Sequence, residues 1–77
     1  MKNLIKSTYL NNNPEAINRE ASDTYTAYEF YNDSDTDYVF IETTENIEVY
    51  STEYGEFNLE ATSDSLEEAS ELVMSWC

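Results

Sequence analysis

The chain reads as an α+β domain: an antiparallel three- to four-stranded sheet with a C-terminal helix and a short N-terminal helix packed on one face. Three β-favouring runs, at residues 38–43, 47–52 and 56–61, are separated each time by a short connection. Such spacings suit antiparallel neighbours, because parallel strands need a long crossover. Near the end, Ser65 followed by Glu68 makes a capping box, and Leu66, Ala69, Leu72, Val73 and Trp76 recur with helical spacing. A helix over 65–76 follows from that pattern and should lie on the sheet.

The N-terminal part is less regular. Residues 2–10 are moderately apolar and suit a first strand, and Pro14 suits the first turn of a short helix over 14–21. Residues 25–31 mix two signals. Ile17, Ala21, Tyr25 and Tyr28 share a helical face, yet the segment is rich in strand-favouring aromatics, and the reading favours a strand. With one glycine, one proline and no linker or repeat, residues 1–77 are expected to form a single domain. A chain of this length buries only about 60% of the surface its unfolded form exposes, so the core is thin. A hydrophobic content of 40% and an aromatic content of 14% are those of a folding chain, not a disordered one.

Charge is the most unusual property. The formal net charge is −14, and from Glu20 onward there is no lysine, arginine or histidine; Lys2, Lys6 and Arg19 all precede it. A solvated face normally mixes both signs, and unbalanced carboxylates weaken a compact state by self-repulsion. The expectation is a strongly basic partner. The same charge opposes direct contact with nucleic acid or with anionic membranes. No segment has the apolar length of a signal peptide or a membrane span, which points to the cytoplasm.

Chemistry is sparsely represented. With no histidine and a single cysteine, Cys77, there is neither an internal disulfide nor a zinc ligand set, and the usual bases of serine or cysteine catalysis are missing. Asp33, Asp35 and Asp37 resemble the opening of a calcium loop. Tyr38 then occupies the position that needs glycine, and Thr44 the position that needs glutamate, so the match fails. The reading is a non-enzymatic protein without catalytic, cofactor or metal residues and without a cofactor.

Strand alternation places the carboxylates. If Ile47, Val49, Phe57 and Leu59 point inward, then Glu48, Tyr50, Glu56 and Glu60 point out, and Glu42 joins them when Val39 and Ile41 face the core. Outward positions on one strand then repeat at about 6.6 Å, twice the rise per residue and close to the step between phosphates. Asp64, Glu67, Glu68 and Glu71 lie on the outer side of the last helix. These nine residues are the expected partner-binding positions, forming one acidic face. Glutamine at Glu48, Glu56 and Glu60 together should weaken binding without loss of stability.

A short, acidic, histidine-free α+β chain with such a face resembles the small inhibitors of phages and mobile elements, above all anti-CRISPR and anti-restriction proteins that mimic DNA. The resemblance covers size and charge along the whole chain and includes no shared motif. It implies an inhibitor in the cytoplasm of a host bacterium that blocks the nucleic-acid-binding channel of a defence complex, a CRISPR effector or a nuclease. An immunity protein or antitoxin capping a basic nuclease needs the same charge, and an acid-rich surface adapted to high salt is a further reading.

Overall fold

The computed structural model describes residues 4–31, 37–53 and 56–76. Along the chain come β1 (Leu4–Lys6), α1 (Thr8–Asn12), a 3₁₀ turn (Pro14–Ile17), β2 (Thr26–Tyr31), β3 (Asp37–Glu42), β4 (Ile47–Glu53), β5 (Glu56–Ser63) and α2 (Leu66–Ser75). The fold is α+β. Among the described residues its sheet has five strands in the order β1-β2-β3-β4-β5, each antiparallel to its neighbours, one or two strands more than the sequence patterns indicate.

The N-terminal segment differs most from expectation. The first strand ends at Lys6 because Ser7 caps a helix there: its Oγ accepts a hydrogen bond from the Leu10 amide at 3.1 Å, satisfying a donor that a helix start would otherwise leave free. The turn that begins at Pro14 is 3₁₀ and stops at Ile17, where Asn18 adopts a left-handed conformation with φ 57° and turns the chain away. The strand reading of the Tyr25 region holds as β2.

Side chains alternate across a strand, so the two core clusters can be assigned to faces. Phe30, Phe40, Ile47 and Val49 lie on one face and pack with Ala69 and Val73 of α2. Ala27, Val39 and Ile41 lie on the other and pack with Leu10 of α1 and Ile17 of the 3₁₀ turn. The helices therefore cover opposite faces, not one. β3 explains why: its run Tyr38-Val39-Phe40-Ile41 is apolar on both sides, and its buried members need cover above and below. Burying each of these side chains contributes about 1.5–3 kcal/mol.

α2 begins as its capping box requires, with Ser65 Oγ accepting from the Glu68 amide at 3.1 Å. The returning Glu68 carboxylate accepts from the Asp64 amide at 3.4 Å, one residue before the cap. Trp76 stays 43% exposed, its ring tilted against Tyr38 at 5.7 Å between centroids. It is a margin residue and not a core one.

One side chain completes the sheet beyond the end of β1. Asn11 accepts from the Ala27 amide at 2.9 Å and donates to the Ala27 carbonyl at 3.1 Å, substituting for a strand neighbour. Asn11→Ala leaves the Ala27 amide without this partner, while the carbonyl keeps the Ser7 amide at 2.9 Å, and is expected to cost about 1–2 kcal/mol in urea unfolding. Unchanged stability would mean that water replaces the amide fully.

Candidate protein-binding surface

The bulge in the last strand pair sets where the β5 carboxylates point. Val49 opposes Ala61 and Tyr50 opposes Leu59, so Glu60 is the extra residue between them. Before the bulge Phe57 and Leu59 share the α1 face with Thr52 and Tyr50; after it Ala61 and Ser63 share the α2 face with Val49 and Ile47. Phe57 and Leu59 thus lie on the opposite face from Ile47 and Val49, and Leu59 is 57% exposed instead of inward. The expectation that these four point into one core does not hold. Alternation locates the face of a residue, and when both faces are covered it no longer separates inside from outside.

The nine expected positions divide accordingly. Glu56 lies on the α2 side of β5. Glu60 is held on the same side by Ser51, whose Oγ donates to its carboxylate at 2.7 Å. Asp64 follows in the connection to α2, and Glu67, Glu68 and Glu71 stand on α2 itself. All six are exposed. Glu67 and Glu71 are one turn apart, about 6 Å along the axis. In the first turn, Glu67 and Glu68 also meet the positive end of the helix dipole. No cation occurs in β5, the connection or α2.

Glu42 also faces the α2 side but is half-buried, and its carboxylate accepts from the Tyr28 hydroxyl at 3.3 Å. Glu48 and Tyr50 lie on the α1 face and do not join the others. The single acidic face expected from the sequence is therefore two separate features, a six-carboxylate surface along β5 and α2 and a charged cluster beneath the N-terminal segment.

That second cluster was not anticipated. Asn18, by its left-handed turn, directs Arg19 over the sheet, where the guanidinium pairs with Glu48. Tyr50 donates to the same Glu48 oxygen at 2.7 Å, and Arg19 stacks over the Tyr25 ring at 5.8 Å. The arginine side chain is 17% exposed and the glutamate 24%. Burial works to lower the Arg19 pKa, but the hydrogen bond and charge of Glu48, joined by Tyr50, outweigh it and hold the guanidinium above its ordinary value. A polar cleft of about 450 Å³ adjoins the pair, lined also by Asp23, Thr43 and Asn46. The one clue in the sequence was Arg19 itself, the last cation of the chain.

Burial raises the Tyr28 and Tyr50 hydroxyls above the ordinary tyrosine value. The adjacent carboxylate adds to the rise, Glu42 for Tyr28 and Glu48 for Tyr50, while Arg19 opposes it at Tyr50. Groups with raised folded-state pKa values contribute stability that is complete below the unfolded value of about 10 and is lost as pH climbs through the folded values. The melting temperature should therefore fall as the pH passes about 10. Tyr50→Phe should flatten that decline; an equally steep decline in the variant would show that other groups cause it.

Among the described residues, no group of three or more cysteine, aspartate or glutamate side chains is arranged to hold a metal ion. Asp33 and Asp35 of the calcium-like run, with Tyr54 and Cys77, lie outside the described residues. No described helix is long and apolar enough to cross a membrane. Comparison with protein families, curated proteins and solved structures found no match for the chain.

Proposed function

We propose that the chain is a non-enzymatic acidic inhibitor that mimics DNA and occupies the nucleic-acid-binding channel of a bacterial defence complex, in the manner of anti-CRISPR proteins. The observation that carries this reading is the surface built by Glu56, Glu60, Asp64, Glu67, Glu68 and Glu71, six exposed carboxylates on adjoining elements without a cation among them. Two of the described residues are basic. Arg19 is consumed by Glu48 on the other face, and Lys6 sits on β1, at the far edge of the sheet from β5.

In this mechanism carboxylates take the places of phosphates and pair with lysine and arginine of the target. No bond is made or broken, and inhibition is occlusion within the bacterial cytoplasm. Association is fast because the opposed fields steer the encounter, and it weakens as salt screens them within about 8–10 Å.

Glutamine at Glu56, Glu60, Glu67 and Glu71 together tests the surface without disturbing the fold, since all four are exposed and glutamine keeps an acceptor for Ser51. Glu68 is left in place because it accepts from the Asp64 amide. Exposed charge pairs contribute about 0.2–1 kcal/mol each, so four of them correspond to roughly a fourfold to a thousandfold loss of affinity. The melting temperature should be unchanged or higher, because four repelling charges are gone. A variant that captures its partner with full affinity would remove this surface from the mechanism.

A further inference from the structure

The two edges of the sheet are finished differently. On one side β1 carries Lys6, and past its end Asn11 occupies the Ala27 amide and carbonyl. Lysines on an edge and side chains that take up its backbone groups keep it from pairing with another chain. On the other side β5 runs for eight residues, contains neither lysine nor proline, and ends the sheet; the bulge at Glu60 interrupts it, so that its regular stretch for pairing is 56–59. Among the described residues, no backbone hydrogen bond outside its ladder with β4 reaches it.

The side chains of this open edge are sorted. On the α1 side Leu59 projects with 57% of its surface exposed, next to the half-buried Phe57. On the α2 side stand the exposed Glu56 and Glu60. A strand laid along β5 would alternate its own side chains between these two environments.

We propose that the outer edge of β5 accepts an extended segment of a basic partner as a sixth strand, one in which apolar residues alternate with lysine or arginine. The apolar positions cover Leu59 and the basic positions meet Glu56 and Glu60, while main-chain hydrogen bonds supply the pairing. The charge selects this occupant over a second copy of the chain, because two β5 edges side by side oppose glutamate to glutamate. The inference deepens the proposed function and rests on it for the basic character of the partner; the pairing mode comes from the edge alone.

The test uses the full chain and synthetic eight-residue peptides matched to the length of β5: alternating valine and lysine, alternating serine and lysine of equal charge, and alternating valine and glutamate. The valine–lysine peptide should bind and slow hydrogen exchange at amides of 56–63. The serine–lysine peptide should bind about tenfold more weakly or less, the valine–glutamate peptide not at all. Leu59→Lys should reduce valine–lysine binding by a similar factor with an unchanged melting temperature, since the side chain is already mostly exposed. Equal binding of both lysine peptides, protection confined to α2, or protection of β5 that grows with protein concentration and no peptide would each overturn the proposal, the last by assigning the edge to a second copy. Partner capture that survives Leu59→Lys removes the edge and leaves the acidic surface standing. Capture that survives Glu67→Gln with Glu71→Gln, which leaves Glu56 and Glu60 in place on β5, while the valine–lysine peptide still pairs there, removes the α2 carboxylates from the mechanism and leaves the edge.

Discussion

Phe40→Ala is expected to destabilise the protein by about 3–5 kcal/mol, the cost of a large buried ring together with the cavity it leaves. Phe40 is fully buried in the middle strand, its ring stacked on Phe30 at 5.5 Å, and it belongs to the cluster that α2 closes. A chain of 77 residues has a total stability on the order of 4–12 kcal/mol, so this one substitution removes roughly a quarter of it or more. The self-repulsion of a net charge of −14 leaves little reserve. Urea unfolding checks the value. Phe40→Leu retains most of the volume and should lose much less, and an alanine variant no weaker than the leucine one would mean that the core is not closed around this ring.

Substitution of Glu48 is expected to have the next largest effect, and one opposite to what the sequence pattern implies. As an outward carboxylate it would be a contact residue, and its removal would relieve repulsion. It is instead the partner of Arg19 and the acceptor for Tyr50. Glu48→Gln leaves a largely buried guanidinium without its counter-charge, with Nε already lacking a hydrogen-bond partner. The loss should be about 2 kcal/mol, less than for a fully buried pair because both groups keep some contact with water. The double variant Arg19→Met with Glu48→Leu should recover most of it, because neither charge is then stranded. A denaturation cycle over the two single variants and the double one measures the coupling; strictly additive losses would show that the pair is a surface contact of no consequence. The combined Glu48, Glu56 and Glu60 substitution accordingly confounds stability with binding, and the four-glutamine variant on β5 and α2 replaces it.

Much of the fold was legible because its signals are local. α2 has a cap at Ser65 and an apolar stripe through Leu66, Ala69 and Val73, and both act where the sequence places them. The meander from β3 to β5 follows from short connections between β-favouring runs. The N-terminal segment was harder, since residues 2–10 contain both a strand and the start of a helix, and the switch depends on the Ser7 hydroxyl reaching Leu10.

The acidic surface was legible only in part, for reasons of packing. The four consecutive apolar residues of β3 mark a strand buried on both faces, and with both faces covered Glu48 and Tyr50 come to lie under the N-terminal segment. The bulge at Glu60 inverts the alternation within β5, so that Leu59 and Ala61 face opposite ways despite their even spacing. A one-residue slip of this kind leaves no composition signal. The carboxylates of α2 escape both effects, because a helix on the outside of a sheet keeps its polar side toward water whatever the strands beneath it do.

The measurement that tests the acidic surface most directly is capture of partners from bacterial lysate on the tagged chain, washed first with rising salt and then with competing double-stranded DNA, with the eluates identified by mass spectrometry. The expected result is a nucleic-acid-binding protein that salt weakens, that DNA displaces and that the four-glutamine variant fails to retain. A partner held through the DNA wash and bound equally by that variant would contradict DNA mimicry.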